Sequence, residues 1–247
     1  MRPKGGGLLG CTLTELGYVR IGFAGQGNLD HLVCAGFSTL KCDSSLEFIK
    51  LLGLDDGKFV RGVQVHGDTV TAVDMSHAGM TLPDTDGLVT STRGLALTAT
   101  FADCVPIFIV EPVAGIVGLV HAGWRGTAKR IGQRAVEAVE KLGGRPRRLL
   151  VTFGPHIRSC CYEVDEPVLR EFLDSYRQAR EFFTPSRPGH WMLDLERANR
   201  ACLAEAGVSP SNVLSCGMCT YCNPLLFASR RRVGAATSLL RGAIFLK

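Results

Sequence analysis

The chain reads as an α/β or α+β protein, because apolar runs of strand length alternate with amphipathic helical stripes along its whole length. Nothing in the sequence divides it: there is no low-complexity block, charge run or long linker, and no repeat at a fixed period. At 247 residues, with 46% apolar and 21% charged content, it can bury a core as one domain, 1–247, without disulfide staples.

Taken in order, the first forty-five residues are rich in glycine and small side chains and suit one or two strands with irregular loops. Strands are expected at residues 59–65, 69–73, 95–100, 105–110, 116–120 and 149–153. Residues 105–124 hold a single charge and could pass for a membrane span, but Glu111-Pro112 breaks them in the middle. Two buried strands joined by a tight turn explain that stretch better. Three helices follow from apolar stripes. The first runs through Ile131, Ala135, Ala138, Val139 and Leu142 and is stopped by Gly143-Gly144. The second uses Val168, Leu169, Phe172, Leu173 and Tyr176. The third uses Leu195, Ala198, Cys202, Leu203 and Ala206, with Asp194 as N-cap and Gly207 as C-cap.

The net charge of +5 admits an anionic substrate but is too weak to indicate a nucleic-acid binder, and no stretch interleaves basic with aromatic residues. Neither nucleic acid nor membrane is expected as a partner. Met1-Arg2-Pro3-Lys4-Gly5-Gly6-Gly7 leads into no apolar run long enough for a signal peptide. The ten cysteines are therefore read as reduced, in the cytoplasm, serving as core filler or metal ligands.

Three residues stand out as ligands for one metal ion. His66 closes the run Val63-Gln64-Val65, Cys104 lies between Asp103 and Val105-Pro106, and His121 ends the run 116–120 just before Ala122-Gly123. Side chains at the ends of buried strands project into the cleft those strands surround. Two imidazoles and a thiolate suit zinc and leave a fourth position for water. Spacing alone is a weak signal, since the three lie far apart in the chain and each could be a core residue.

Five ordered motifs add to that signal. They are Gln64-Val65-His66-Gly67, Ala102-Asp103-Cys104-Val105-Pro106, His121-Ala122-Gly123-Trp124-Arg125-Gly126, Gly154-Pro155-His156-Ile157 with Cys161-Tyr162-Glu163-Val164, and Cys219-Thr220. From about Lys58 onward the chain closely resembles the YfiH-type family, labelled "laccase domain" or multicopper polyphenol oxidase. The resemblance implies a four-layer α/β/β/α domain with mixed sheets and one zinc held by His66, Cys104 and His121. It implies a purine nucleoside phosphorylase that also accepts methylthioadenosine and deaminates adenosine, with a purine nucleoside and phosphate as its partners and a monomer as one admissible assembly. The runner-up is a zinc amidase editing a nucleotide-linked muramyl precursor, and a non-catalytic metal or iron–sulfur protein stands behind it. Copper, and with it phenol oxidation, is disfavoured, because one mixed His/Cys site lacks the several centres and His-x-His pairs of multicopper oxidases.

The chain departs from the family pattern twice. The N-terminal Arg-Gly-Gly-Val-Ser and Asn-Leu-Gly segments are represented only by Cys34-Ala35-Gly36-Phe37-Ser38-Thr39-Leu40. Near the C-terminus, Ser229-Arg230-Arg231-Arg232-Val233-Gly234 has Val233 where the family has Asp.

Other candidates are weighed beside these. Asp103 is a candidate acid/base, or equally a strand-end hydrogen-bonding residue. Arg125 and Arg61 are candidates to hold phosphate, Arg125 helped by backbone amides at a helix start. Cys216-x-x-Cys219-x-x-Cys222 has the spacing of a partial iron–sulfur set but no fourth Cys at the required distance, so no cluster is expected; the alternatives are Cys219 with two incidental neighbours, or a redox-active or adventitious zinc-binding pair. Adjacent Cys160 and Cys161 are read as core or cavity-wall residues. Arg145, Arg147 and Arg148 form a solvated loop, whereas Arg230, Arg231 and Arg232 fall where the family places an arginine pair near the cleft. His156 lines the pocket without being a ligand, and His31, His77 and His190 have no motif around them.

Overall fold

The computed structural model describes residues 11–24, 29–42, 44–54 and 58–247, so the Met1 to Gly7 segment lies outside the described residues. The N-terminal part supplies β1 (Cys11–Leu13), β2 (Tyr18–Ile21), β3 (Val33–Ser38) and α1 (Ser45–Leu51). Then come β4 (Phe59–Gly62), β5 (Val70–Ala72), β6 (Thr81–Leu82), β7 (Gly87–Thr90) and β8 (Ala96–Phe101). The middle holds β9 (Val105–Glu111), β10 (Ile116–Ala122), α2 (Trp124–Ala128), α3 (Ile131–Lys141) and β11 (Leu150–Phe153). After these follow β12 (Glu163–Asp165), α4 (Glu166–Ser175), β13 (Phe183–Pro185) and β14 (His190–Leu193). The chain closes with α5 (Leu195–Glu205), β15 (Val213–Ser215), α6 (Arg230–Val233) and β16 (Leu240–Leu246).

Two large mixed sheets carry the fold, ordered β1-β2-β3-β16-β8-β4-β6 and β15-β11-β9-β10-β7-β5, with a small sheet β12-β14-β13 beside them. Alternation along the central strands shows how they stack. Phe108, Val110, Val117 and Leu119 pack with Phe37, Leu97, Phe101 and Ile244, so the two sheets face each other across one apolar core. The other face of the second sheet, with Val105, Ile107, Ile109 and Val151, packs on helices α2 to α5 through Ala135, Val139, Phe172 and Leu203. The outer face of the first sheet meets α1 through Ala96, Phe245, Phe48 and Ile49. The layers are therefore α/β/β/α.

Both faces of β9 and β10 are covered, which is why they read as continuous apolar runs. They pair antiparallel, with Ile116 opposite Glu111, and the tight turn at 112–115 uses Gly115 at a φ of 63°. Among the described residues no helix is long and apolar enough to cross a membrane. Asp194 accepts from the Arg197 amide at 2.9 Å as N-cap of α5, and Gly207, at φ 90°, follows its C-cap Ala206. The N-terminal region contains three strands rather than one or two, and Cys34 to Ser38 lie in β3, paired with β16 inside the first sheet. The reading of all ten cysteines as reduced is corrected: Cys11, on β1, is disulfide-bonded to Cys216, just after β15, with Cα atoms 5.2 Å apart. These edge strands, remote in sequence, meet in space at a separation a disulfide spans.

Candidate metal centre

The two sheets bring His66, Cys104 and His121 together. Their ligating atoms all lie within 4.8 Å of one another. His121 sits near the end of β10 on the face turned to the first sheet, its ring 5.6 Å from that of Phe101. Cys104 occupies the turn between β8 and β9, and His66 the loop between β4 and β5. The two imidazoles meet edge to face with centroids 4.9 Å apart. A tetrahedral zinc, with Zn–N about 2.0–2.1 Å and Zn–S about 2.3 Å, separates its ligands by roughly 3.4–3.8 Å, so the donor set and its spacing fit such an ion with one position left open.

Asp86 organises two of the three candidate ligands. Its carboxylate accepts from the backbone amides of Val65, His66 and Gly67 at 3.0, 3.1 and 2.8 Å, which clamps the His66 loop. It also accepts from Nδ1 of His121 at 2.8 Å, which turns Nε2 of that ring toward the centre. Burial works against the Asp86 charge, yet the His121 hydrogen bond and the loop amides hold the group below its ordinary carboxylate value. Sequence reasoning missed Asp86. Its one available signal was an acidic residue in the loop before a strand, which is too common to single out.

Cys104 and His121 shift each other in opposite directions. Burial raises the Cys104 thiol, but the His121 charge and hydrogen bonds from both histidines outweigh it and bring the group down to about 6. His121 shows the counterpart: burial lowers it, and Cys104 and Asp86 together raise it to about 9. Gly123 completes the crowding, since a Cβ there would lie 2.9 Å from His66 Cδ2 and 3.1 Å from Cys104 Sγ. His66 and Asp103 both hold positive φ, at 60° and 85°, a conformation rarely adopted away from glycine and kept where the surroundings over-determine it.

Asp103 is buried, and both of its carboxylate oxygens have partners. Oδ1 accepts from Thr220 at 2.6 Å, and Oδ2 accepts from Ser229 at 3.0 Å and from the Arg231 amide at 2.8 Å. It thus ties the Cys104 turn to the C-terminal segment. The Arg231 guanidinium lies 5.0 Å from the Tyr162 ring and donates to the Glu163 carbonyl. Burial, then the Cys104 charge, raises the Tyr162 phenol, which therefore stays protonated; Arg231 and Arg125 work in the opposite direction from nearby. Arg125, exposed, stacks on Trp124 at 4.3 Å, and Arg61 donates to Thr81 at 2.9 Å. His156 is fully buried, 3.8 Å from Glu196, with Nε2 among the buried atoms that have no hydrogen-bond partner. Val233 is exposed at the end of α6.

The remaining cysteine readings are revised. Cys216 is taken by its disulfide, which breaks up the Cys216-x-x-Cys219-x-x-Cys222 set. Cys160 is exposed rather than in the core, and Cys160 and Cys161 converge on Cys219 and Cys222. The two thiols that join Cys219 and Cys222 come from a separate loop.

Comparison with known proteins agrees with this architecture. Residues 44–247 match the family described as "Multi-copper polyphenol oxidoreductase laccase". "Purine nucleoside phosphorylase YlmD" of Geobacillus stearothermophilus is 41% identical in an alignment that covers 68% of this chain and 65% of that protein. The aligned stretch thus spans just under two thirds of that relative's length. "Adenosine deaminase RL5", from an unknown prokaryotic organism, is 34% identical over 78% of this chain and 76% of its own. The crystal structure of YlmD from Geobacillus stearothermophilus superposes with a TM-score of 0.89 at 30% identity, covering 96% of this chain and 98% of that one. That of the Bacillus licheniformis hypothetical protein YfiH gives a TM-score of 0.89 at 28% identity, covering 96% and 99%. Matched over most of its length in sequence and nearly all of it in fold, the chain belongs to the multi-copper polyphenol oxidoreductase laccase family, the YfiH-type family.

Proposed function

We propose that residues 1–247 form one zinc-binding domain that acts as a purine nucleoside phosphorylase, with adenosine deaminase and methylthioadenosine phosphorylase activity. The observation that carries this reading is the convergence of His66, Cys104 and His121, with His121 oriented by Asp86. The names borne by the relatives supply the substrate class. When bound, zinc supplies a Lewis acid that lowers the pKa of a water ligand to about 7.

The chain's own residues have separate tasks. Asp86 fixes the His121 tautomer and the His66 loop. Tyr162, kept protonated, is a hydrogen-bond donor for a substrate heteroatom. Arg125 is our choice for the phosphate clamp, because the Arg61 guanidinium already donates to Thr81. We assign Asp103 a positioning role in place of acid/base work, since its oxygens are engaged by Thr220, Ser229 and Arg231. A single His/Cys centre suits zinc rather than the several centres of copper oxidases. With eight thiols free and one pair bonded, the cytoplasm is the compartment we propose.

The test is base release from adenosine, inosine and methylthioadenosine as inorganic phosphate is varied. Release should rise with phosphate and saturate, and Arg125→Ala should weaken that dependence more than it weakens deamination. His66→Ala and Cys104→Ala should lose the zinc of this centre and turnover while staying folded. No free base at any phosphate concentration, with cleavage of an amide-linked muramyl nucleotide, would replace this reading by the amidase.

A further inference from the structure

The second group of ligating side chains lies apart from the centre just described. Cys160 and Cys161 end the loop after β11, while Cys219 and Cys222 lie in the segment after β15, and the four sulfurs are all within 4.8 Å of one another. Three of the separations are resolved: Cys160 to Cys222 at 3.7 Å, Cys160 to Cys161 at 3.5 Å and Cys161 to Cys222 at 3.3 Å. None of these is a disulfide, which needs about 2.05 Å. Four thiolates at about 2.3 Å from a tetrahedral zinc stand about 3.8 Å apart, close to what is seen. An iron–sulfur cubane, in which each thiolate binds a different iron, would hold them further apart.

Backbone hydrogen bonds tie the two cysteine-bearing segments together. His156 and Cys219 form a bridge, with the His156 amide donating to Met218 and the Thr220 amide to His156, at 3.2 and 3.0 Å. The Cys161 amide donates to the Arg158 carbonyl at 2.9 Å, and Asn223 Nδ2 donates to the Cys219 carbonyl at 2.8 Å. The amides of Arg158 and Cys222 are directed at the Cys219 sulfur. Cys219-x-x-Cys222 also has the C-x2-C spacing of structural zinc sites.

We propose that Cys160, Cys161, Cys219 and Cys222 bind a second, structural zinc ion that staples the loop after β11 to the segment after β15. Four thiolates fill the coordination shell, so this ion has no open position and does no chemistry. Its effect reaches the first centre through the chain. Thr220, between Cys219 and Cys222, donates to Asp103 beside the ligand Cys104, and Tyr162 directly follows Cys161.

The experiment uses the full chain carrying Cys104→Ala and His121→Ala, which removes the first centre and makes the result independent of the proposed activity. Purified under reducing, anaerobic conditions with zinc, this variant should keep one zinc per chain. Cobalt in place of zinc should give the intense visible absorption of a tetrahedral thiolate site. Chelation should expose Cys160, Cys161, Cys219 and Cys222 to alkylation, as read by peptide mapping. Adding Cys160→Ser and Cys222→Ser should abolish the cobalt spectrum. Zinc absent from the Cys104/His121 variant, no thiolate bands on cobalt addition, or a Cys161–Cys222 disulfide in the reduced protein would each overturn the proposal. None of these readings requires the four-site variant to fold.

Discussion

Asp86 serves two of the proposed ligands at once, and that makes it the most informative single residue to change. Its carboxylate holds the His66 loop through three amides and the His121 ring through Nδ1. Asparagine keeps the shape but offers one oxygen and an amide nitrogen in place of two acceptors. At least one amide or the His121 N–H then loses its partner, and the ring is free to take the other tautomer. Asp86→Asn should weaken zinc binding about 10- to 100-fold by chelator competition, with little change in the far-ultraviolet dichroism. An unchanged affinity would mean that His121 is held by packing against Phe101 alone. The three candidate ligands were singled out by the ordered motifs that resemble the family, since their positions and spacing alone are a weak signal. Asp86 was not, since what marks it is a contact 35 residues distant with His121.

At the scale of elements, α5 and β15 meet through a buried carboxylate. Glu196, on α5, accepts from Ser215 at 2.8 Å and from Arg200 at 2.9 Å, and lies 3.8 Å from His156. Burial disfavours its charge, but His156, Ser215 and Arg200 outweigh that and hold the group below its ordinary value of 4.5. A carboxylate depressed in the folded state contributes stability that is fully present above its unfolded pKa, near 4.5, and is lost as pH falls through the lower folded value. Glu196→Gln should therefore cost roughly 1–3 kcal/mol near pH 7, and its deficit relative to the parent should shrink as urea unfolding is repeated below pH 4.5. A deficit constant with pH would show that packing, not charge, is what the substitution removes. The helix itself was visible in sequence as a stripe from Leu195 to Ala206 with Asp194 at its start, because helix periodicity and cap chemistry are local. Its polar partner on β15 was not, since Ser215 has no pattern of its own. Likewise β9 and β10 were readable because both faces are buried, whereas β1 has no buried residue and β2 alternates with an exposed position, and both gave weak runs.

For the whole molecule, the contacts least visible in sequence are the cysteine pairings across the two sheets. Ten thiols in a chain of this size, read one by one, suggested core filler, and linear spacing pointed to Cys216, Cys219 and Cys222 as one set. Folding separates them. Cys216 meets Cys11 across 205 residues, and the other two meet Cys160 and Cys161 from another loop. The Cys11–Cys216 bond joins β1, at one edge of the first sheet, to the residue after β15, at one edge of the second. Beside that bond, the sheets meet through the apolar layer of Phe37, Phe101, Phe108 and Leu119 and through the Thr152 hydroxyl, which donates to the Gly22 carbonyl at 2.6 Å. A cross-link closing so long a loop removes much denatured-state freedom, with a ceiling of about 5 kcal/mol in the chain-entropy view and about 2–4 kcal/mol in practice. The urea midpoint of the parent protein should therefore fall when a thiol reductant is added. Cys11→Ser, alone or with Cys216→Ser, should start at the lowered midpoint and not respond to reductant. A parent midpoint insensitive to reductant would show that the apolar layer between the sheets, and not the covalent link, sets the stability of their association.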